Sequence, residues 1–249
     1  MEFNKLKNIY LFWLSRNFNQ AFVKPDYVGI LLTKRCNLQC KMCDIREHPT
    51  KPEEEISFSG VKKVVDEMAC WGIRNMTLSG GEPFLRKDFF EIVDYVVRII
   101  PYTAINTNLT VMNEDMALKL TELPKHKFHL EISLDGATAE THDSIRGVRG
   151  SFDKIMHNIK LIHAVGRSRG TDIRIGVTSV LMKENLKEVM DIVYLANNLN
   201  FVNVSFMPVM ADNVNLDVRN NKNIMDGKAI KTLDLVIEEL LEFKRKNGL

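Results

Sequence analysis

His129-Leu130-Glu131-Ile132-Ser133-Leu134-Asp135 alternates polar and apolar side chains one for one. A period of two sends successive side chains to opposite faces of a β-strand. The same alternation recurs on both sides of this stretch. Thr77 and Ser79 alternate with Met76 and Leu78, Asn106 and Asn108 alternate with Ile105, and Arg174 and Thr178 alternate with Ile173, Ile175 and Val177. Strand-like runs cover Val28–Thr33, Asn75–Ser79, Thr103–Asn108, His129–Asp135, Asp172–Val180 and Asn203–Val209. Helix-like runs follow each of them, over 58–71, 88–99, 113–122, 151–166, 186–199 and 226–246.

Six strand–helix units in strict order predict a parallel sheet with right-handed crossovers. Eight such units close a full barrel, and six make an open one. The expected fold is therefore α/β: a partial (β/α)6 TIM-like barrel, an open parallel sheet with outer helices. Residues 25–249 make up this core, and residues 1–24 form a helical extension that docks against it. Ala211–Gly227, rich in Asn and Asp, is expected to be a long loop between the last strand and the last helix. Strands covered on both faces usually read apolar throughout. Four half-polar strands imply that the polar set faces the barrel interior. Buried polar groups need partners, so that interior is expected to hold a polar ligand, water or both.

Composition narrows the function. The chain has 249 residues, is 45% hydrophobic and 27% charged, and carries a formal net charge of +2. Such a balance offers no electrostatic case for nucleic acid as the main partner. No apolar run approaches the roughly 18 residues of a membrane span. Ile9–Leu14 is also too short for a signal-peptide core, so a cytoplasmic location is expected. Of the four cysteines, Cys36, Cys40 and Cys43 are crowded together while Cys70 stands alone. A disulfide framework would spread them out, and a reducing cytosol disfavours one. The crowded three read as a metal site, and Cys70 as a buried core thiol.

Thr33-Lys34-Arg35-Cys36-Asn37-Leu38-Gln39-Cys40-Lys41-Met42-Cys43 follows the first strand directly. Three thiolates at C-x3-C-x2-C wrap one compact centre, and thiolates favour zinc or iron–sulfur. Structural zinc needs a fourth ligand, for which His48 is the nearby candidate. A [4Fe–4S] cubane on three cysteines instead keeps one iron open. Lys34, Arg35 and Lys41 flank the thiols and would offset cluster charge. Ser79-Gly80-Gly81-Glu82-Pro83 ends the second strand. Its glycines permit close backbone approach or positive φ, Pro83 fixes the exit direction, and Glu82 is held at the strand edge as an acceptor for a cation. Each such element lies at the C-terminal end of its strand, the face where barrel active sites occur.

The C-x3-C-x2-C loop after a first strand resembles the signature of the radical S-adenosylmethionine (SAM) superfamily, with Met42 where an aromatic residue usually precedes the third cysteine. The resemblance covers roughly residues 28–209. It implies that Cys36, Cys40 and Cys43 hold a [4Fe–4S] cluster whose open iron chelates the methionine moiety of SAM. Gly80, Gly81, Glu82 and Pro83 match the motif that binds the SAM ammonium group. Thr107-Asn108-Leu109 is similar to the family's TNG element, with Leu109 in place of glycine and Asn108 as the site residue. Ser133-Leu134-Asp135-Gly136 with His142 and Ile145-Arg146-Gly147 is similar to members that often carry a C-terminal SPASM or twitch extension. There Ser133 would contact the methionine carboxylate or ribose, and Arg146 the carboxylate. On the fifth and sixth strands Arg174, Thr178, Ser205 and Met207 would wall the adenine or meet the substrate, with Arg174 taken as a cofactor contact.

The implied activity is reductive cleavage of SAM to a 5′-deoxyadenosyl radical that abstracts hydrogen from a small-molecule or peptide substrate. An external one-electron donor such as flavodoxin or ferredoxin would supply the cluster. Two other readings stay open at this point. A metal-binding electron-transfer or structural module explains the cysteines but not the Gly-Gly-Glu-Pro element, and a methyltransferase would use SAM only as a methyl donor. The chain is expected to be a minimal core or part of a longer protein.

Overall fold

The computed structural model of the chain describes residues 2–45, 48, 50–209 and 227–247. Among them are six strands: β1 (Tyr27–Leu31), β2 (Asn75–Ser79), β3 (Tyr102–Thr107), β4 (Phe128–Ser133), β5 (Ile175–Leu181) and β6 (Val204–Pro208). They form one sheet in the order β1-β2-β3-β4-β5-β6, every neighbouring pair parallel. No ladder joins β6 back to β1 among the described residues, so the sheet is a curled half-barrel rather than a closed one. Helices lie between and around the strands: α1 (Glu2–Phe18), α2 (Phe58–Cys70), α3 (Phe89–Ile99), α4 (Glu114–Glu122), α5 (Ala139–Arg146), α6 (Ser151–Ser168), α7 (Val189–Asn198) and α8 (Gly227–Asn247). The expected partial barrel is what the chain forms.

Alternation sets the layers. Leu130 and Ile132 of β4 are fully buried, as are Leu78 of β2, Ile105 of β3 and Val177 of β5. They pack with Val61 and Val65 of α2, Ile92, Val93 and Val96 of α3, and Ile155, Ile159 and Ile162 of α6. Each such side chain contributes roughly 1.5–3 kcal/mol by leaving water. The intervening Glu131 and Ser133 are only half-buried and look to the barrel interior. Helix starts carry local caps, each worth about 1 kcal/mol. Ser57 accepts the Gly60 N–H at 3.2 Å, and Asn113 accepts the Met116 N–H at 2.9 Å.

Several expectations change. Between β4 and α6 stands α5, a helix the sequence reading took only as a motif. Thr138 caps its start, and Gly147 ends it at φ 71°, the left-handed turn that glycine favours. The fifth strand begins at Ile175, which leaves Arg174 outside it. Cys70 is exposed rather than buried, because the inward side of α2 is taken by Val61 and Val65, one turn apart. Helix α1 does not bury its apolar residues: Leu6, Ile9, Tyr10, Phe12, Trp13 and Phe18 are exposed. Leu6, Ile9, Tyr10 and Trp13 share one side at i, i+3, i+4 and i+7 spacing, and that side is left uncovered by the described residues. The loop expected over Ala211–Gly227 lies outside the described residues, save for Gly227 at the start of α8. No helix among the described residues is long and apolar enough to cross a membrane.

Candidate active site

The segment 32–45 runs across the C-terminal end of the sheet and is pinned from two sides. On the β2 side the ladder continues past the strands: Leu32 N–H donates to Ser79 O at 2.8 Å, Gly81 N–H to Thr33 O at 2.7 Å and Glu82 N–H to Arg35 O at 2.8 Å. This approach explains the paired glycines. A Cβ on Gly80 would overlap the Thr33 carbonyl oxygen, and one on Gly81 would overlap the Arg35 carbonyl and sit 2.9 Å from Cys36 Cβ. The glycines admit the cysteine loop itself.

On the other side the loop caps a helix. The last carbonyls of a helix lack partners of their own. Here Ile145 O accepts the Lys41 N–H at 2.9 Å, and Arg146 O accepts the Gln39 N–H at 3.1 Å. A side chain at Gly147 would overlap the Gln39 carbonyl oxygen. Leu38, 4% exposed, anchors the loop between these two clamps. Behind it lies a charged buttress with no motif in the sequence to announce it. Buried Arg86 donates to Leu32 O at 2.8 Å and to Ile56 O at 3.1 Å, and pairs with Asp88 at 2.6 Å. Glu55 accepts from Thr33 Oγ1 and pairs with Arg35 at 2.8 Å.

The three cysteines open onto a cavity of about 520 Å³ lined also by Leu31, Gly80, Gly81, Asn106, Asn108, Ser133, Arg146 and Thr178, with His48 on its rim. Burial pushes the Cys36 and Cys43 thiols up. Such thiols gain most from a metal that takes the proton's place. No three His, Cys, Asp or Glu groups among the described residues are gathered to hold a single ion. A cubane does not require that, because each thiolate binds a different iron of the cluster. Three thiols facing one roomy cavity, with the rest of the first coordination left to something else, fit a three-cysteine [4Fe–4S] group.

Glu82 takes a different position from the one its motif suggested. It is fully buried and stands behind the cavity with Pro83. Its Oε1 accepts from Phe84 N–H at 3.1 Å and Thr107 Oγ1 at 2.9 Å, and its Oε2 accepts from Asn108 N–H at 2.7 Å. Burial pushes its carboxyl up to about 7 despite those three donors. The side chain thus ties the β2 turn to the end of β3. Asn108 continues the chain of contacts: Nδ2 donates to Asn37 Oδ1 at 3.0 Å and points at Cys36 Sγ from 3.9 Å, while Oδ1 accepts from Thr110 at 2.7 Å. Leu109 stands in the left-handed region at φ 55°, the conformation that a glycine would hold without strain.

Ser133 and Thr178 sit side by side in the β4–β5 register and both line the cavity. Glu131 lies one layer deeper. Burial works against its charge, but contacts from His129, Thr178 and Asn203 hold its carboxyl below the usual range. Asp135, fully buried, lies 2.7 Å from Arg146 Nε. His142 is buried as well, and burial with the nearby Arg146 charge drops it to about 3, so it stays neutral. Arg174 is not part of this assembly: it is exposed at the N-terminal end of β5, the end away from the cavity. The cofactor contact expected of it falls to no group on that side of the strand, and Thr178 is the β5 residue at the cavity wall.

Known proteins resemble this chain in sequence and in fold. The family model described as the radical SAM superfamily matches residues 30–196. An AdoMet-dependent heme synthase of Methanosarcina barkeri is 32% identical over 178 residues, 72% of this chain and 49% of that protein. The antilisterial bacteriocin subtilosin biosynthesis protein AlbA of Bacillus subtilis is 32% identical over 181 residues, 73% of this chain and 39% of its own length. The chain therefore spans about half or less of the curated relatives it matches. In fold it is similar to Streptococcus suis SuiB bound to S-adenosylmethionine, with a TM-score of 0.72 at 15% identity over 98% of this chain and 53% of that one. With a family match over well more than half its length, seated on the same half-barrel, the chain belongs to the radical SAM superfamily.

Proposed function

We propose that the chain is the catalytic core of a radical SAM enzyme acting on a peptide or a cofactor precursor. The observation that carries this is the convergence of Cys36, Cys40, Cys43, Gly80, Gly81, Asn108, Ser133 and Arg146 on one cavity at the C-terminal end of the sheet. The cofactors are those of the family, a [4Fe–4S] cluster and SAM. When bound, they supply one-electron reduction of the sulfonium and release of a 5′-deoxyadenosyl radical that abstracts hydrogen from substrate.

The chain's own residues bind, orient and exclude water. Cys36, Cys40 and Cys43 hold the cluster. The backbone of Gly80 and Gly81 forms the cavity edge beside Cys36, where the SAM ammonium group finds carbonyl acceptors. Glu82 acts from behind, fixing the end of β3 so that Asn108 reaches the loop. Ser133 and Thr178 offer hydroxyls to the polar parts of SAM. Leu31, Leu38, Met42, Ile45 and Val180 supply the apolar portion of the wall, which would keep water from the radical. The substrate class rests on the relatives, whose names assign one to haem synthesis and another to bacteriocin biosynthesis. A flavodoxin- or ferredoxin-type donor in the cytoplasm completes the reading.

The test is anaerobic reconstitution of the full chain with iron and sulfide, then SAM and dithionite. A cubane spectrum and 5′-deoxyadenosine are expected, and Cys40→Ala abolishes both. Zinc uptake without SAM cleavage would favour the structural module, and S-adenosylhomocysteine as the product would favour methyl transfer. Either result overturns the proposal.

A further inference from the structure

The three thiols are unequally surrounded. Cys36 Sγ accepts only neutral donors, Leu38 N–H at 3.5 Å and the Asn108 amide at 3.9 Å. Cys43 is exposed, and its hydrogen bond comes from the Ile45 backbone. Among the described residues, Cys40 Sγ is the thiol that accepts from a cation, Arg146 Nη1 at 3.6 Å.

Two of the basic residues nearest in sequence are engaged elsewhere, while Lys34 lines the cavity. Lys41 turns outward to Glu184 at 2.8 Å and to Ser144, and Arg35 is held by Glu55. Arg146 is instead 8% exposed and oriented from behind. Its Nε lies 2.7 Å from Asp135 Oδ2, and Asp135 is fixed in turn by the Val180 N–H, which donates to Oδ1 at 2.7 Å. The backbone of the same residue is tied to the loop, since Arg146 O accepts the Gln39 N–H. The ion pair at Nε and the main-chain tie to the loop both hold this buried guanidinium beside the sulfur.

We propose that Arg146 sets the reduction potential of the cluster by presenting its charge to the Cys40 thiolate, with Asp135 as the residue that positions and partly offsets that charge. This rests on the functional reading above and assigns Arg146 a role different from pairing with the SAM carboxylate. Reduction adds one negative charge to the cluster. A cation hydrogen-bonded to a ligand sulfur in a poorly solvated site stabilises that charge. Removing the cation makes the cluster harder to reduce, and removing the anion behind it makes the cluster easier to reduce. The two partners of one ion pair therefore push the potential in opposite directions.

The experiment is an EPR-monitored redox titration of the reconstituted full chain and three variants, with iron content and SAM affinity measured on each. For Arg146→Gln the ratio of reduced to oxidised cluster at a fixed solution potential is expected to fall roughly tenfold, about 59 mV for one electron. Arg146→Lys stays near wild type, and Asp135→Asn moves the opposite way, toward easier reduction. SAM affinity stays within about twofold in all three. Should Arg146→Gln lose its iron, Asp135→Asn still decides by the sign of its shift. An unchanged potential together with weakened SAM binding would overturn the inference and make Arg146 a carboxylate ligand. Shifts of the same sign for Arg146→Gln and Asp135→Asn would overturn it in favour of local loosening. A wild-type chain with no cubane signal would overturn the functional reading itself, a result separate from either of these.

Discussion

Replacing Gly81 by alanine tests the claim that the glycine pair exists to seat the cysteine loop. The added methyl would overlap the Arg35 carbonyl oxygen and lie 2.6 Å from its carbon and 2.9 Å from Cys36 Cβ. The obstructing atoms are mostly backbone, so no side chain can swing away. Relief requires the two segments to part, which breaks the Gly81 N–H to Thr33 O bond at 2.7 Å and the Glu82 N–H to Arg35 O bond at 2.8 Å. Two hydrogen bonds at about 1 kcal/mol each, with an overpacking cost of about 1–3 kcal/mol, give a loss of roughly 3–5 kcal/mol. With a urea slope near 3 kcal/mol per molar, the unfolding midpoint falls by about 1 M or more. Gly29→Ala is the control, since its methyl would meet only the Tyr27 hydroxyl at 3.6 Å, an ordinary contact. Equilibrium urea unfolding followed by circular dichroism reads the effect, and iron uptake after reconstitution reads the displacement of Cys36. A Gly81→Ala midpoint within about 0.2 M of wild type, with full iron, would refute the packing argument.

Burial of Glu82 makes the metal-free chain pH-sensitive. Its folded pKa of about 7 lies above the unfolded value, so the folded state binds the extra proton between them. Stability is then fully present at low pH and declines as pH rises through about 7, by on the order of 3 kcal/mol. Urea midpoints at several pH values should show this slope in wild type and not in Glu82→Gln; equal slopes would rule it out. Leu109→Gly would relieve a left-handed backbone worth about 1–2 kcal/mol, yet it empties a fully buried site at a cost of roughly 3–5 kcal/mol. A net loss of about 1–4 kcal/mol is expected by denaturant unfolding, and a stabilised variant would contradict it. Arg174→Ala should leave SAM affinity of the reconstituted chain unchanged, and a tenfold loss would return that residue to the cavity.

The barrel was readable because polar and apolar residues alternate on β2, β3 and β4, a pattern that only a one-sided interior explains. The cluster loop was readable for the same local reason: its three cysteines lie within one short run. What escaped the sequence is what depends on distant contact. Glu55 and Arg86 carry no motif, and only folding brings them under Thr33 and Leu32. Glu82 was correctly marked as special, but its orientation is set by donors from β3, 25 and 26 residues away in sequence. Arg174 shared the strand alternation, which tells which face a residue is on and not which end of the strand it occupies. The eight-residue α5 has too few apolar positions to show a period, although its only buried apolar residue, Ile145, sits one position from Arg146.

A ring of strands has its bore fixed by strand count and stagger. Among the described residues this sheet runs from β1 to β6 with no ladder between the two, so its bore is under no such lock. Every thiol, together with the Gly80–Gly81 turn, Asn108 and the end of α5, is carried on the half from β1 to β4. β5 is held to β4 by its ladder, but β6, at the free edge, can shift outward with α7 and α8 with no ladder to the first strand to rupture. Changes in β6, α7 and α8 can therefore resize the bore while the clamps on the cysteine loop from β2 and α5 stay as they are.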